Sequence, residues 1–93
     1  MNDVQLVRSL RSVGKECFVK YFDEFSNPNF SREDLIDLLR SKEKYKESGC
    51  KTRISQSRRI INSGRASDAL DMIVNSARLP DTVRDQARAL QNT

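Results

Sequence analysis

The fold class is decided mainly by residues 3–25, which read DVQLVRSLRSVGKECFVKYFDEF. Apolar residues recur in this stretch at steps of three and four, which is the period of an α-helix. The members of this apolar stripe are Val4, Val7, Leu10, Val13, Cys17, Phe18, Tyr21, Phe22 and Phe25. The period predicts one long helix from about Asp3 to Phe25. Gly14 inside it costs about 1 kcal/mol relative to alanine, which is compatible with a local kink or a close helix crossing.

A second helix is predicted after a short loop. Residues 26–29, Ser-Asn-Pro-Asn, have the composition of a loop. Ser31 and Asp34 then resemble a capping box, with aspartate in place of the preferred glutamate or glutamine. We expect the second helix to run from there to about Lys46. Residues 47–50, Glu-Ser-Gly-Cys, interrupt the periodic pattern.

The rest of the chain predicts up to three more helices. The third starts near Thr52 and ends at Gly64, which suits a left-handed C-cap. Ser67 caps a fourth helix, and Pro80-Asp81 precedes a weaker fifth one. The apolar residues of the fifth helix are Val83, Ala87 and Leu90. No segment alternates apolar and polar residues at period two, so the fold class is all-α: a single compact bundle of four to five helices over residues 1–93.

Composition places the chain among single folded domains. It has 93 residues, of which 37% are hydrophobic and 32% charged, too apolar for wholesale disorder. No apolar run approaches the roughly 20 residues that cross a bilayer, and charged residues interrupt the first twenty positions, so we expect neither a membrane span nor a signal peptide. The two cysteines, Cys17 and Cys50, are too few for a disulfide framework, which favours free thiols and a cytoplasmic protein.

Positive charge is concentrated in one region of the sequence. Residues 40–65 hold nine basic and two acidic residues, a net charge of +7, whereas the remainder carries −3 of the total of +4. An anionic partner can recognise such a regional excess.

The third predicted helix carries this charge on a definable face. At 100° per residue, Ile54, Ser57 and Ile61 share a narrow arc that would face the core, with Ile60 on its shoulder. The residues expected to point outward or to flank that surface are Ser55, Gln56, Arg59 and Asn62, with Arg53 and Arg58 on opposite sides. Gln, Asn and Arg match the edges of bases, and Arg, Lys and Ser reach phosphates.

These features favour a small nucleic-acid-binding regulatory domain, with DNA as the expected ligand. The predicted binding residues are Lys44, Lys46, Lys51, Arg53, Ser55, Gln56, Arg58, Arg59, Asn62 and Arg65. The alternative interpretation is a solvated surface, because charge runs usually face water and lysines near a helix end also complement its dipole.

The basic hairpin resembles a helix-turn-helix motif in outline only. When the turn glycine of that motif is aligned on Gly49, Tyr45 occupies a position that is usually small, and polar Ser55 occupies one that is usually apolar. When it is aligned on Gly64, Ile60 takes the small-residue position. Neither register fits, and no family is identified.

Catalysis is not expected. The chain has no histidine, its three glycines are isolated, and two cysteines alone cannot form an ordinary zinc site. We therefore expect no metal and no cofactor. Cys50 is the one candidate reactive group, because it precedes a predicted helix start and lies beside Lys51. The competing interpretation is a cysteine that packs as a small apolar residue.

A second function remains open from the sequence. The fifth helix has few apolar residues, so residues 81–93 could dock a protein partner or a second copy of the chain. A terminal helix that covers the core is the simpler alternative. The aromatic residues of the first helix are assigned to packing, since Asp23 and Glu24 lie among them.

Overall fold

The chain folds entirely into helices and their connections over the part that the computed structural model describes, residues 1–92. The helices are α1 (Asp3–Val13), α2 (Lys15–Lys20), α3 (Phe22–Ser26), α4 (Arg32–Glu43), α5 (Glu47–Asn62), α6 (Ala66–Val74) and α7 (Asp81–Gln91). No strand occurs in residues 1–92, so the predicted all-α class is confirmed. The buried apolar side chains form one core cluster to which all seven of these helices contribute.

The predicted first helix is divided into three segments, α1 to α3. Gly14 breaks it with φ +89° and ψ 128°, a backbone conformation outside the helical region. Its N–H still donates to the Leu10 carbonyl at 2.9 Å, and its carbonyl accepts from the Phe18 N–H at 3.0 Å. A second interruption follows at Tyr21, where φ is −113°. The chain therefore changes direction twice, and the kink at Gly14 is a full break between two helices.

The boundary between α4 and α5 differs from the prediction. α4 ends at Glu43, and Lys44 adopts a left-handed conformation with φ +59°. α5 starts at Glu47, so residues 47–50 are helical and the expected start near Thr52 is wrong. Left-handed Lys44 therefore makes the turn that the sequence had suggested for Gly49. The basic helical hairpin exists, but its turn contains no glycine.

Two predicted helix ends are confirmed. The Ser31 hydroxyl accepts from the Asp34 N–H at 3.0 Å, and the Asp34 carboxylate accepts from the Ser31 N–H at 3.4 Å. At the end of α5, Gly64 has φ +76°, and the N–H of Arg65 bonds to the Ile60 carbonyl at 3.1 Å, as in a Schellman motif. The prediction that Ser67 caps α6 is wrong, because Arg65 is its N-cap residue.

The inward face of α1 differs in part from the predicted stripe. Val4 is 67% and Val7 41% exposed, whereas Leu6 and Ser9 are buried beside Leu10. The period of three and four also fits the series that starts at Leu6, and packing against α5 selects that series. The sequence placed Val4 and Val7 on the core side, and they lie on the surface.

The aromatic residues of α2 and α3 pack as expected. Phe18 and Tyr21 are buried, and each meets another ring edge-to-face, Phe18 with Phe22 at 5.5 Å and Tyr21 with Phe25 at 6.4 Å between centroids. Such pairs add about 0.5–1.5 kcal/mol to the stabilisation from burial alone.

A charged cluster joins the end of α4 to the α2–α3 junction. The Glu43 carboxylate accepts from the Lys20 ammonium at 2.6 Å and from the Tyr21 hydroxyl at 2.5 Å. These hydrogen bonds, that of Lys20 first, hold the pKa of Glu43 below its ordinary value. Burial, with the Glu43 hydrogen bond, raises the pKa of Tyr21.

We expect Glu43→Gln to lower the free energy of unfolding at neutral pH by about 1.5–2 kcal/mol, the lower part of the range for a hydrogen bond to a charged group, because the Lys20 side chain is half exposed. A carboxyl whose pKa is lowered by folding stabilises the protein above its unfolded pKa, and the effect is lost as the pH falls through the folded value. The wild type should therefore lose stability below about pH 4.5, and the variant should lose less. Urea denaturation between pH 3 and 7 measures both curves, with Glu24→Gln as the control. Parallel acid limbs for wild type and Glu43→Gln would contradict the role of this cluster.

Candidate nucleic-acid interface

The guanidinium groups of Arg53 and Arg58 both make contacts within the chain. The Arg53 guanidinium lies over the Tyr45 ring at 3.8 Å and donates to the Gly49 carbonyl at 3.1 Å. Arg58 donates from Nε to the Phe25 carbonyl at 3.5 Å and from Nη2 to the Phe30 carbonyl. Both side chains were predicted to contact phosphate. In the structure, their guanidinium groups contact an aromatic ring and backbone carbonyls of the same chain.

Of the predicted cations, Arg65 makes the most polar contacts within residues 1–92. It is 20% exposed, pairs with Asp3 at 2.5 Å and Asp68 at 2.6 Å, and donates to the Met1 carbonyl at 2.7 Å. The hydrogen bonds to Asp3 and Asp68 raise the pKa of Arg65. Arg65 therefore fastens the start of α1 to the start of α6 and contributes no free charge.

The lysines at the α4–α5 turn remain open to solvent. Lys44 and Lys46 are exposed, and no carboxylate in residues 1–92 pairs with either. Lys51 lies 3.7 Å from Glu47, and both side chains are about half exposed, so the pair is weak. This end of the molecule retains an excess of mobile positive charge.

The outward face of α5 agrees with the helical geometry. Ser55, Arg59 and Asn62 are exposed and Gln56 is half-buried, while Ser57 is buried on the opposite side. Two of the isoleucines exchange their expected places, since Ile60 is fully buried and Ile61 only partly so. α4 and α3 cover one flank of α5, and α1 covers the other.

α1 and α5 run antiparallel, because the start of α1 lies at the end of α5. Arg65, just beyond α5, bonds to Met1 and Asp3, and the Ser63 hydroxyl lies 3.9 Å from the Met1 sulfur. This packing places the middle of α1 beside the outward face of α5. A groove of about 300 Å³ runs between them, lined by Gln5, Arg8, Ser9, Ser12, Gln56 and Arg59.

The chemistry of this α1–α5 groove is that of an anion-binding surface. No carboxylate lines it, and neither Arg8 nor Arg59 has a side-chain partner in residues 1–92. Ser9, only 3% exposed, forms part of its wall. Guanidinium, amide and hydroxyl groups are the usual partners of phosphate oxygens. Arg8 and Arg59 stand on opposite helices, so one anion-bearing strand can be held from both sides.

Sequence reasoning missed the α1 side of this groove. Gln5, Arg8 and Ser12 repeat at steps of three and four, which puts them on one polar face of α1. That periodic signal was present. What the sequence lacked was the antiparallel packing that brings this face next to Gln56 and Arg59.

Cys50 is not a reactive thiol. It lies inside α5, fully buried, and its Sγ is 3.9 Å from the Tyr45 carbonyl oxygen. Burial raises the pKa of Cys50, and it raises the pKa of Cys17 to about 11. Both thiols are free and stay protonated near neutral pH. The interpretation of Cys50 as a small apolar packing residue is the one that the structure supports.

Residues 81–92, which were expected to offer a docking surface, cover the core. Val83 and Ala87 are buried, and α7 packs on α6 and α2. Thr93, the last position of the predicted 81–93 segment, lies outside the described residues. The chain itself therefore covers Val83 and Ala87, whereas Leu90 is partly buried.

Two further features are absent from residues 1–92. No group of three or more Cys, Asp and Glu side chains comes together there to hold a metal ion. None of the helices described combines the length and the apolar content that a bilayer span requires. Comparisons with protein-family models, curated proteins and solved structures found no match to this chain.

Proposed function

We propose that this chain is a small nucleic-acid-binding regulatory domain that acts without catalysis and has DNA as its ligand. The α1–α5 groove and the exposed face of α5 would hold the sugar–phosphate backbone. A cytoplasmic location is part of this proposal, since both cysteines are free and buried.

One observation carries the proposal. Two guanidiniums without partners in residues 1–92, Arg8 and Arg59, flank a groove that contains serine and glutamine but no carboxylate. A buried or paired arginine is explained by the fold it stabilises, as for Arg58 and Arg65. Arg8 and Arg59 have no such explanation within the described chain. Pairs of uncompensated guanidiniums suit phosphate diesters.

Lys44 and Lys46 add exposed positive charge at the start of α5. Lys46 precedes α5 and Asn62 ends it, so the outward face is about 24 Å long at 1.5 Å per residue. That length spans several phosphates of a duplex. Arg8, Arg59, Lys44 and Lys46 would contact phosphates. Ser55, with Gln56 on the α1 side of it and Asn62 on the α3 side, would reach base edges.

Duplex binding should depend steeply on salt. Four phosphate contacts predict a slope of log K against log salt near roughly −3.6, because each contact contributes about −0.9 on a duplex. Fluorescence anisotropy with labelled duplex DNA, duplex RNA and single-stranded DNA between 50 and 300 mM salt measures the slope and the preferred ligand. Duplex DNA is expected to bind tightest.

Arg8→Gln/Arg59→Gln should weaken duplex binding by about 10- to 50-fold and reduce the salt slope by about 2. Arg32→Gln/Arg78→Gln is the matched control, because it removes the same charge from two exposed residues that do not line the groove. The control should change affinity by about twofold at most. Equal losses in the two variants, or a salt slope near zero in the wild type, would overturn the proposal.

A further inference from the structure

An exposed apolar strip on α1 is not used by the proposed nucleic-acid surface. Val4 and Val7 are the exposed large apolar side chains of residues 1–92. Val7 also lines a second groove, of about 630 Å³, between α1 and α6, together with Leu10 and Met72. Single exposed apolar residues are common on proteins. Val4 and Val7 lie on successive turns, and Val7 joins them to the apolar part of the groove, which Leu10 and Met72 form; adjoining apolar residues of this kind suit an interaction site.

The α1–α6 groove is elongated. One wall extends along α1 from Asp3 to Arg11, about 12 Å, and the other along α6 from Arg65 to Asn75, about 15 Å, at 1.5 Å per residue. Two helical walls of two to three turns form the shape that receives the apolar face of another helix.

Two of the three carboxylates of this groove pair with a cation of the same chain. Asp3 and Asp68 both pair with Arg65, at 2.5 and 2.6 Å. Asp71 accepts a hydrogen bond from the Gln91 side chain. Asp71 has a neutral partner, so the α6 wall keeps one negative charge that no cation in residues 1–92 pairs with.

The cations of the opposite wall are not compensated. Arg11 has no partner in residues 1–92, and Lys15 donates to the Ser76 hydroxyl at 2.7 Å without meeting a carboxylate. Both line the groove on the side that continues from α1 into α2. The unpaired positive charge of the groove therefore lies along this edge, opposite Asp71 on the α6 wall.

We propose that the α1–α6 groove docks an amphipathic helix of a partner protein, whose apolar face covers Val4, Val7 and Met72 and whose acidic edge meets Arg11 and Lys15. This protein-binding surface is separate from the α1–α5 groove. The alternative that residues 81–93 dock a partner stays a separate prediction.

The test uses the full chain and a displayed library of amphipathic helices of about five turns, with a leucine stripe and with edge positions randomised among Glu, Gln and Lys. Selection should enrich Glu along one edge. The selected peptide should shift amide resonances of α1 and α6, and it should bind about tenfold more weakly to Val7→Gln and to Arg11→Gln. Arg78→Gln, which removes one exposed cation elsewhere, should leave its affinity unchanged.

Four outcomes would overturn the proposal: no enriched helix, enrichment without Glu, resonance shifts outside α1 and α6, or equal weakening by Arg78→Gln. A concentration-dependent dimer that Val7→Gln abolishes would also overturn it, because a second copy would then occupy the groove. Duplex binding by Val7→Gln, measured in parallel, keeps the two functions distinguishable. Unchanged duplex affinity with lost peptide binding is the expected result.

Discussion

Arg58→Ala is expected to lower the free energy of unfolding by about 2–3 kcal/mol, the range for charged hydrogen bonds to partly buried groups. The guanidinium donates to the carbonyls of Phe25 and Phe30 and so closes the loop between α3 and α4 onto α5. Alanine leaves both carbonyls without this donor and removes the packing of the side-chain stem. Urea denaturation followed by circular dichroism measures the loss.

The neighbouring residue is the matched control. Arg59 is exposed and its side chain has no partner in residues 1–92, so Arg59→Ala should change stability by less than about 0.5 kcal/mol. The same substitution should weaken duplex binding. Arg58→Lys keeps the charge but loses the two-pronged donor geometry, and its stability should be intermediate. Destabilisation by Arg59→Ala equal to that by Arg58→Ala would contradict the division of roles between the two arginines.

Features set by residues close together in the chain could be predicted from the sequence. The Ser31–Asp34 capping box and the left-handed Gly64 at the end of α5 both use hydrogen bonds spanning five residues or fewer. The helical periodicity that established the all-α class is local in the same sense. Neither feature requires knowledge of which helix packs on which.

Features decided by packing could not be predicted in this way. Gly49 has low helix propensity and interrupts the apolar pattern, but burial of the adjacent Cys50 and of Ile54 favours the helix there. The Arg53 guanidinium also bonds to the Gly49 carbonyl. Tertiary contacts thus overcome a local preference of about 1 kcal/mol.

For the same reason, only the α5 part of the proposed binding surface could be predicted from the sequence. The outward position of Ser55 and Arg59 follows from helical geometry once Ile54 and Ser57 are placed inward. Arg58 and Arg59 cannot be told apart by composition, since only the loop after α3 makes one of them structural. The α1 contribution to the groove depends on antiparallel packing, which no pattern within residues 40–65 contains.

At Gly14 the sequence pattern and the observed fold imply different backbone conformations. Periodicity favours a continuous helix from Asp3 onward, in which alanine would be better than glycine by about 1 kcal/mol. The structure instead gives Gly14 φ +89° and ψ 128°, a conformation that residues with a Cβ rarely adopt. The two descriptions predict opposite signs for the effect of the same substitution.

Gly14→Ala should destabilise the protein by about 2–3 kcal/mol, because the backbone must hold a strained conformation or give up the α1–α2 break. The added Cβ would meet only Cys17 Cβ at 4.0 Å, an ordinary contact, so the cost comes from the backbone and not from crowding. Gly64→Ala, at φ +76° with open space around it, is the comparison and should cost about 1 kcal/mol. Urea denaturation ranks the variants, and a more stable Gly14→Ala would mean that the first helix is continuous. The aromatic residues beyond Gly14 would then leave the positions that build the core.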